Sequence, residues 1–127
     1  MRVREPETDE DVELVRRIRN ASREWMTRDT SYITEEQQRK WWGSGPGRLW
    51  IFEDVGFGFM SEEGEKMWIA VGILPAGRGK GLGTEMYRFL AEQQGKVWAE
   101  IRGDNSASLI AALKAGYVSD ELVVLHS

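Results

Sequence analysis

A chain of 127 residues has room for one domain with a two- or three-layer core, and not for two. With 41% hydrophobic and 30% charged residues it reads as an ordinary globular protein; no apolar run approaches a membrane span, and the charged start from Arg2 shows neither signal peptide nor anchor. A net charge of −4 argues against nucleic acid or membrane lipid as partners, and the absence of cysteine excludes disulfides, thiolate metal sites and a cysteine nucleophile. A cysteine-free chain fits a reducing compartment, so a cytoplasmic location is expected.

The chain opens with a short β-like entry around Val3. "TDEDVELVRRIRN" then predicts a helix: Thr8 and Asp11 have capping-box spacing, and Val12, Val15 and Ile18 recur at helical intervals. "ITEEQQRKWW" repeats the device with Thr34 and Gln37, and "GSGPG" at 43–47 is a turn. Three strands follow, at 48–52, 55–60 and 66–74, separated by short acidic turns that suit an antiparallel meander. "LGTEMYRFLAEQQ" is a helix, 97–102 a strand, 105–116 a helix begun by Asn105 and stopped by Gly116, and 121–126 a final strand. The order β-α-α-β-β-β-α-β-α-β predicts a mixed α/β sheet in which strands 66–74 and 97–102 form a parallel crossover pair.

Charge is unevenly spread. Arg16, Arg17, Arg19, Arg23 and Arg28 crowd the first third, and Glu53, Asp54, Glu62, Glu63 and Glu65 the middle. This describes either solvated faces or a local basic surface for a phosphorylated ligand.

The segment "ILPAGRGKGLGT" (73–84) places glycine at 77, 79, 81 and 83, between a strand and a helix start. Glycines there cost backbone entropy but let free peptide N–H groups at the positive helix end approach an anion. Arg78 and Lys80 add charge, and the Thr84 hydroxyl adds a donor. Gly72 and Gly77 have the spacing of a Walker A loop, but Arg78 and Gly79 stand directly after Gly77 where Lys and Ser/Thr are needed; the dinucleotide fingerprint fails because Thr84 stands where its last glycine belongs.

What does match is Arg78-Gly79-Lys80-Gly81-Leu82-Gly83, which resembles the (Gln/Arg)-x-x-Gly-x-(Gly/Ala) motif of the GNAT superfamily of N-acetyltransferases. Asn105-x-x-Ser108 followed by Lys114-Ala115-Gly116-Tyr117 resembles a second family segment, and the element order agrees over nearly the whole chain. The resemblance implies the GNAT fold, with a splay between the fourth and fifth strands, and acetyl-coenzyme A as acyl donor with no metal. It implies further that Arg78, Gly79, Lys80, Gly81, Leu82, Gly83 and Thr84 hold the pyrophosphate. The pantetheine amides would pair near Ile73 and Leu74, the Ile73 N–H would polarise the thioester, and Asn105 and Ser108 would line the other wall.

The sequence departs from the family at one position. Where many members have a tyrosine as general acid, seven residues after the motif asparagine, this chain has Ala112. Tyr117 aligns with a structural aromatic, and Tyr87 is expected to pack or to lie at the surface. An amine must be neutral to attack, so a base is needed. In 97–102, Trp98, Glu100 and Arg102 share one face, which makes Glu100 the first candidate base or substrate contact; a plain Glu100–Arg102 ion pair is the competing reading. Glu53 and Asp54 rank below it, and His126, near the end, is read as incidental.

The acceptor region in this fold is the pair of N-terminal helices and their connector, here "RNASREWMTRDTSYITEEQQRKWW". Arg19, Asn20, Arg23 and Arg28 are candidates to meet acceptor phosphates, Tyr32 to reach the pocket, and Trp25, Trp41 and Trp42 to stack a ring. Acceptor types in view are an amino sugar nucleotide, a protein N-terminus or another small amine. The expectation is a monomeric or homodimeric N-acetyltransferase working by direct attack in a ternary complex. The alternatives are a catalytically silent acyl-coenzyme A-binding module and an acetyltransferase acting on nucleic acid.

Overall fold

The computed structural model describes residues 1–125, so the expectation on His126 lies outside the described residues. In chain order the elements are β1 (Val3–Arg4), α1 (Asp9–Ala21), α2 (Glu35–Gly43), β2 (Arg48–Phe52), β3 (Gly56–Glu63), β4 (Lys66–Ile73), α3 (Leu82–Gln94), β5 (Trp98–Arg102), α4 (Ser106–Lys114) and β6 (Leu122–Leu125). Both helix starts expected from spacing carry complete capping boxes. Thr8 accepts from the Asp11 N–H and Thr34 from the Gln37 N–H, with each partner side chain returning to the cap backbone.

The six strands lie in sequence order, antiparallel from β1 to β4 and parallel from β4 to β6. Helices α3 and α4 are the crossovers the two parallel pairs require. The β3 strand runs three residues beyond the expected end at 60. Glu62 and Glu63 stay in the ladder opposite Met67 and Lys66, and the turn falls at Gly64 instead. Exposed acids on a strand look like a turn in sequence, yet the Glu63–Lys66 pairing suits opposite charges across two strands.

Two cores sandwich the sheet. Alternation along β2 sends Leu49 and Ile51 toward α1, with Val15, Ile18 and Phe57; Trp50 and Phe52 go toward α3, with Met86, Leu90, Val97 and Ala99. Gly72 on β4 is required by the first of these layers, since a Cβ there would come 2.4 Å from the Phe57 ring. Trp41 and Trp42 both rest against that core. Tyr117 is buried, its hydroxyl donates to the Tyr87 carbonyl at 2.8 Å, and Tyr87 is buried beside it, so of its two expected roles Tyr87 takes the packing one.

The β2–β3 turn disposes of two secondary candidates. Glu53 and Asp54 both take left-handed backbone, with φ of 50° and 54°. Their side chains tie down the N-terminus: Glu53 accepts from the Arg2 N–H, and Asp54 pairs with Arg2 and Arg4. They are anchors for β1 at the far side of the sheet from β5.

Candidate active site

The sheet is forked at its centre. The β3–β4 ladder is continuous from Glu63–Lys66 to Gly56–Ile73, whereas β4 and β5 match only at Trp68 with Trp98 and Ile69 with Ala99. Beyond Ile69 the two parallel strands separate, which is the expected splay. The Leu74 N–H donates to Val55 at 2.8 Å, and antiparallel pairs alternate, so Ile73 and Val71 turn their peptide groups away from β3 and into the fork. The Ile73 carbonyl there accepts from Arg78 Nε at 3.0 Å and Ser22 Oγ at 3.4 Å. Leu74, expected beside Ile73 as a backbone partner, has its N–H on Val55 and its carbonyl on the Gly77 N–H. The peptide group facing the fork is therefore that of Ile73.

At the mouth of the fork the glycine segment turns into α3. Its glycines serve different ends. A Cβ at Gly77 would strike Val55 at 2.7 Å, so that glycine is a packing requirement. Gly79 and Gly81 have φ of 77° and 79°, the left-handed region, and a Cβ on either would meet nothing within 4 Å. A Cβ at Gly83 would meet the Ala111 methyl at 3.4 Å, an ordinary contact between α3 and α4.

The Arg78 N–H is spent on the Pro75 carbonyl, and the next backbone donor with an acceptor is Glu85, to Gly81. Between them, the N–H groups of Gly79, Lys80, Gly81, Leu82, Gly83 and Thr84 have no backbone acceptor among the described residues. Six open donors at a positive helix end, with clear space over two left-handed glycines, fit a pyrophosphate.

Asn105 and Ser108, on the other wall, have internal partners. The Asn105 side chain caps α4 by accepting from the Ser108 N–H, and the Ser108 and Tyr87 hydroxyls share a 2.5 Å hydrogen bond. Burial pushes the Tyr87 phenol up to about 12. Ala112, at the position where a general acid is missing, is fully buried in the core.

On the α1 side of the fork lies a cavity of about 510 Å³, lined among others by Arg19, Arg28, Trp41, Phe57, Phe59, Ser61, Trp68 and Glu100. Strand alternation explains the floor: Trp68 pairs with Trp98, so Trp68, Ala70 and Glu100 share one face. Glu100 does not pair with Arg102, which bonds Asp104 and the Glu24 carbonyl instead. Glu100 accepts from Arg28 Nη2 at 2.5 Å, and Arg28 also holds Glu63 and lies 5.6 Å over the Trp68 ring. The Arg28 guanidinium holds the Glu100 carboxyl below the usual carboxylate range, against the opposing effect of burial.

The remaining acceptor candidates divide. Arg28 lines the cavity, whereas Arg23, Trp25 and Tyr32 are not among its lining residues. The Tyr32 hydroxyl accepts from Arg16 at 3.0 Å, and Arg23 lies 5.9 Å from the Tyr32 ring. Of the five arginines between residues 16 and 28, Arg16 is buried and Arg19 half-buried, Arg28 is an exposed brace between Glu63 and Glu100, and Arg17 and Arg23 are exposed. Sequence reasoning missed Phe57, Phe59, Ser61 and Trp68 as lining residues. The register of β4 against β5 was the signal that could have found Trp68.

A forked mixed sheet, an anion cradle at one end of the fork and a charged aromatic cavity beside it together describe a fold with an anion site and a second, separate pocket. The Acetyltransferase (GNAT) family profile matches residues 13–117, and the chain belongs to this family of enzymes. Its fold matches that of an N-acetyltransferase from Staphylococcus aureus Mu50, at a TM-score of 0.74 and 19% identity, covering 89% of this chain and 80% of that one. It also matches a ribosomal-protein-alanine N-acetyltransferase from Brucella melitensis, at 0.73 and 20%, covering 91% and 83%. A phosphinothricin acetyltransferase from Sinorhizobium meliloti, in complex with acetyl-coenzyme A, matches at 0.74 and 17%, covering 91% and 73%. No curated protein matches in sequence. No helix among the described residues is long and apolar enough to cross a membrane, and no group of candidate metal ligands occurs among them.

Proposed function

We propose that this enzyme transfers an acetyl group from acetyl-coenzyme A to the nitrogen of a primary amine by direct attack in a ternary complex. The observation that carries this is the fork, with six open N–H donors at its mouth and a carboxylate-bearing cavity alongside. That the Sinorhizobium meliloti relative in the fold comparison holds acetyl-coenzyme A supports the donor assignment. The donor supplies an activated thioester. Gly79 to Thr84 hold its pyrophosphate, with Lys80 adding charge, and the Ile73 N–H, turned into the fork, is placed to stabilise a developing oxyanion.

On the acceptor side the amine nitrogen bonds to the acetyl carbon as the carbon–sulfur bond breaks, coenzyme A leaves as its thiolate, and the proton the amine gives up passes to Glu100 or through water to solvent. Glu100 stands on the cavity side of the fork, the position for a carboxylate that receives and orients the amine. While Arg28 holds it, Glu100 is a weak base; release from Arg28 restores its basicity. Relatives named for a protein N-terminal alanine and for phosphinothricin keep both macromolecular and small amines in view.

The test is thiol release from acetyl-coenzyme A with a panel of primary amines. Amine-dependent release with a stoichiometric acetylated product is expected. Coenzyme binding without turnover across the panel would reduce the chain to a binding module.

A further inference from the structure

The inward face of α2 carries one residue that packing does not explain. Trp41 and Trp42 rest against the core on the α1 side, and Gln38 lies three and four residues before them, on the same face of the helix. Gln38 is 5% exposed and is the one buried residue of α2. Its neighbour Gln37 spends its side chain in the Thr34 cap, where Oε1 accepts from the Thr34 N–H at 2.9 Å. The Gln38 backbone N–H donates to the Thr34 carbonyl at 3.0 Å, but its side-chain amide meets no hydrogen-bond partner among the described residues.

An inward amide without a partner costs stability that a methionine or leucine at the same place would not. Gln38 lines the cavity that Glu100 also lines. Among the described residues, Arg19 Nη1 is the single buried side-chain atom that is both unpartnered and closed to solvent. The Gln38 amide is unpartnered and not closed, so its donor and its acceptor face the open space of the cavity.

The charges around the same cavity are engaged within the chain. Arg28 is held by Glu100 and Glu63, and Asp29 accepts from the Ser31 N–H and hydroxyl at 2.9 and 2.5 Å. Arg19 donates through Nη2 to the Asp29 carbonyl at 2.6 Å. Leu49, Phe57, Phe59 and Trp68 make apolar wall between them. Beyond Glu100, which receives the amine in the reading above, what these contacts leave for a ligand is neutral, the Gln38 amide foremost. About 510 Å³ is within the range of small-molecule sites, where a few placed polar groups set orientation.

We propose that Gln38 is a specificity-determining residue of the acceptor side: it reads a neutral hydrogen-bonding group on the acceptor and selects against the hydrocarbon isostere of that group. This rests on the acetyltransferase reading above. The isostere leaves the amide unpaired once the cavity is filled, whereas a matching amide or hydroxyl completes it. A carboxylate in that place finds the unpartnered guanidinium nitrogen of Arg19 closed off. The free fold bears the cost of the glutamine, and the bound acceptor relieves it.

The experiment uses a ladder of straight-chain ω-amino amides, from glycinamide to 6-aminohexanamide. Each is set beside its isostere with an isopropyl group in place of the amide, and beside the ω-amino acid of equal length. All are followed by thiol release and by calorimetric binding to the coenzyme A complex, in the wild type and in Gln38→Met. At the length that spans from Glu100 to Gln38, the amide is expected to lead its isostere in kcat/KM by about tenfold, through KM, and Gln38→Met should abolish that lead. Gln38→Met should also melt no lower than the wild type, because no bond within the chain is lost. A lower melting temperature would reveal a structural partner and overturn the inference. The wild-type ladder stands without the variant: acetylation with no amide lead at any length overturns the inference. So does a lead that survives Gln38→Met, or an ω-amino acid that outruns the amide at every length; each leaves acetyl transfer intact. Gln38-dependent binding of an amide without thiol release supports the role of Gln38 and overturns acetyl transfer. Neither binding nor release overturns both.

Discussion

Arg28 Nη2 meets Glu100 at 2.5 Å across a sequence separation of 72 residues, joining the α1–α2 connector to the strand that forms one side of the fork. The same guanidinium also holds Glu63 near the end of β3. One side chain therefore holds the candidate carboxylate below its ordinary range and ties the α1–α2 connector to β3 and β5 beside the cavity.

The first prediction concerns acid pH. Arg28 holds the Glu100 carboxyl below its ordinary range, so the ion pair persists above the unfolded value and is lost only as pH falls through the lowered folded one. Arg28→Met should return Glu100 toward its ordinary range, moving the acid limb of the kcat/KM profile to higher pH. Glu100→Gln should remove that limb altogether. A profile unchanged in both variants would show that Glu100 takes no part in acceptor handling.

A charge reversal in the cradle should separate binding from folding. Lys80 is exposed, so Lys80→Glu should leave the melting temperature of the free protein unchanged while placing a negative charge beside the donor's phosphates. Coenzyme A affinity by calorimetry should fall by about tenfold or more. Undiminished affinity would place the pyrophosphate elsewhere.

The loop glycines should respond with opposite signs. Gly81→Ala forces a side chain into left-handed backbone and should cost about 1–2 kcal/mol although nothing crowds the new methyl. Gly83→Ala lies inside α3 at ordinary contact distance from Ala111, and should stabilise the free protein by roughly 0.5–1 kcal/mol. Urea unfolding of the two variants checks the pair. The same sign for both would mean that the loop is not held as described.

Asp11 should carry part of the acid sensitivity of the fold. Its carboxylate accepts from the Glu7 N–H at 2.9 Å and from Arg4 at 2.6 Å, and both hold it below its ordinary range. Its contribution is present above the unfolded value and disappears as pH falls through the lowered folded one. Stability of Asp11→Asn should therefore fall less steeply than that of the wild type below about pH 4, as read by thermal melts across pH.

Short-range features of the sequence carried most of this architecture. The Thr8 and Thr34 caps, the alternation from Val97 to Arg102 and the glycine spacing from 77 to 83 all follow from local geometry, because each interaction spans a few residues. The family motif then pointed to the donor side. Side-chain partners of the arginines were illegible for the opposite reason. A long flexible cation within reach of several acids gives no local signal, so the choice of Glu100 for Arg28, and of no acid for Arg19, emerges only from the folded chain. Strand ends were also hidden where exposed acids kept pairing, as at Glu62 and Glu63.

The burial of Ala112 has a consequence for how this enzyme can change. Its methyl group is already enclosed by the α3–α4 core, so a phenol cannot be added there without displacing its neighbours. Proton delivery to a departing group is closed off at that point by packing density, whatever selection might favour. Evolution or design seeking donors with less acidic leaving groups would have to introduce the acid from another element, leaving the α4 helix as inert scaffold.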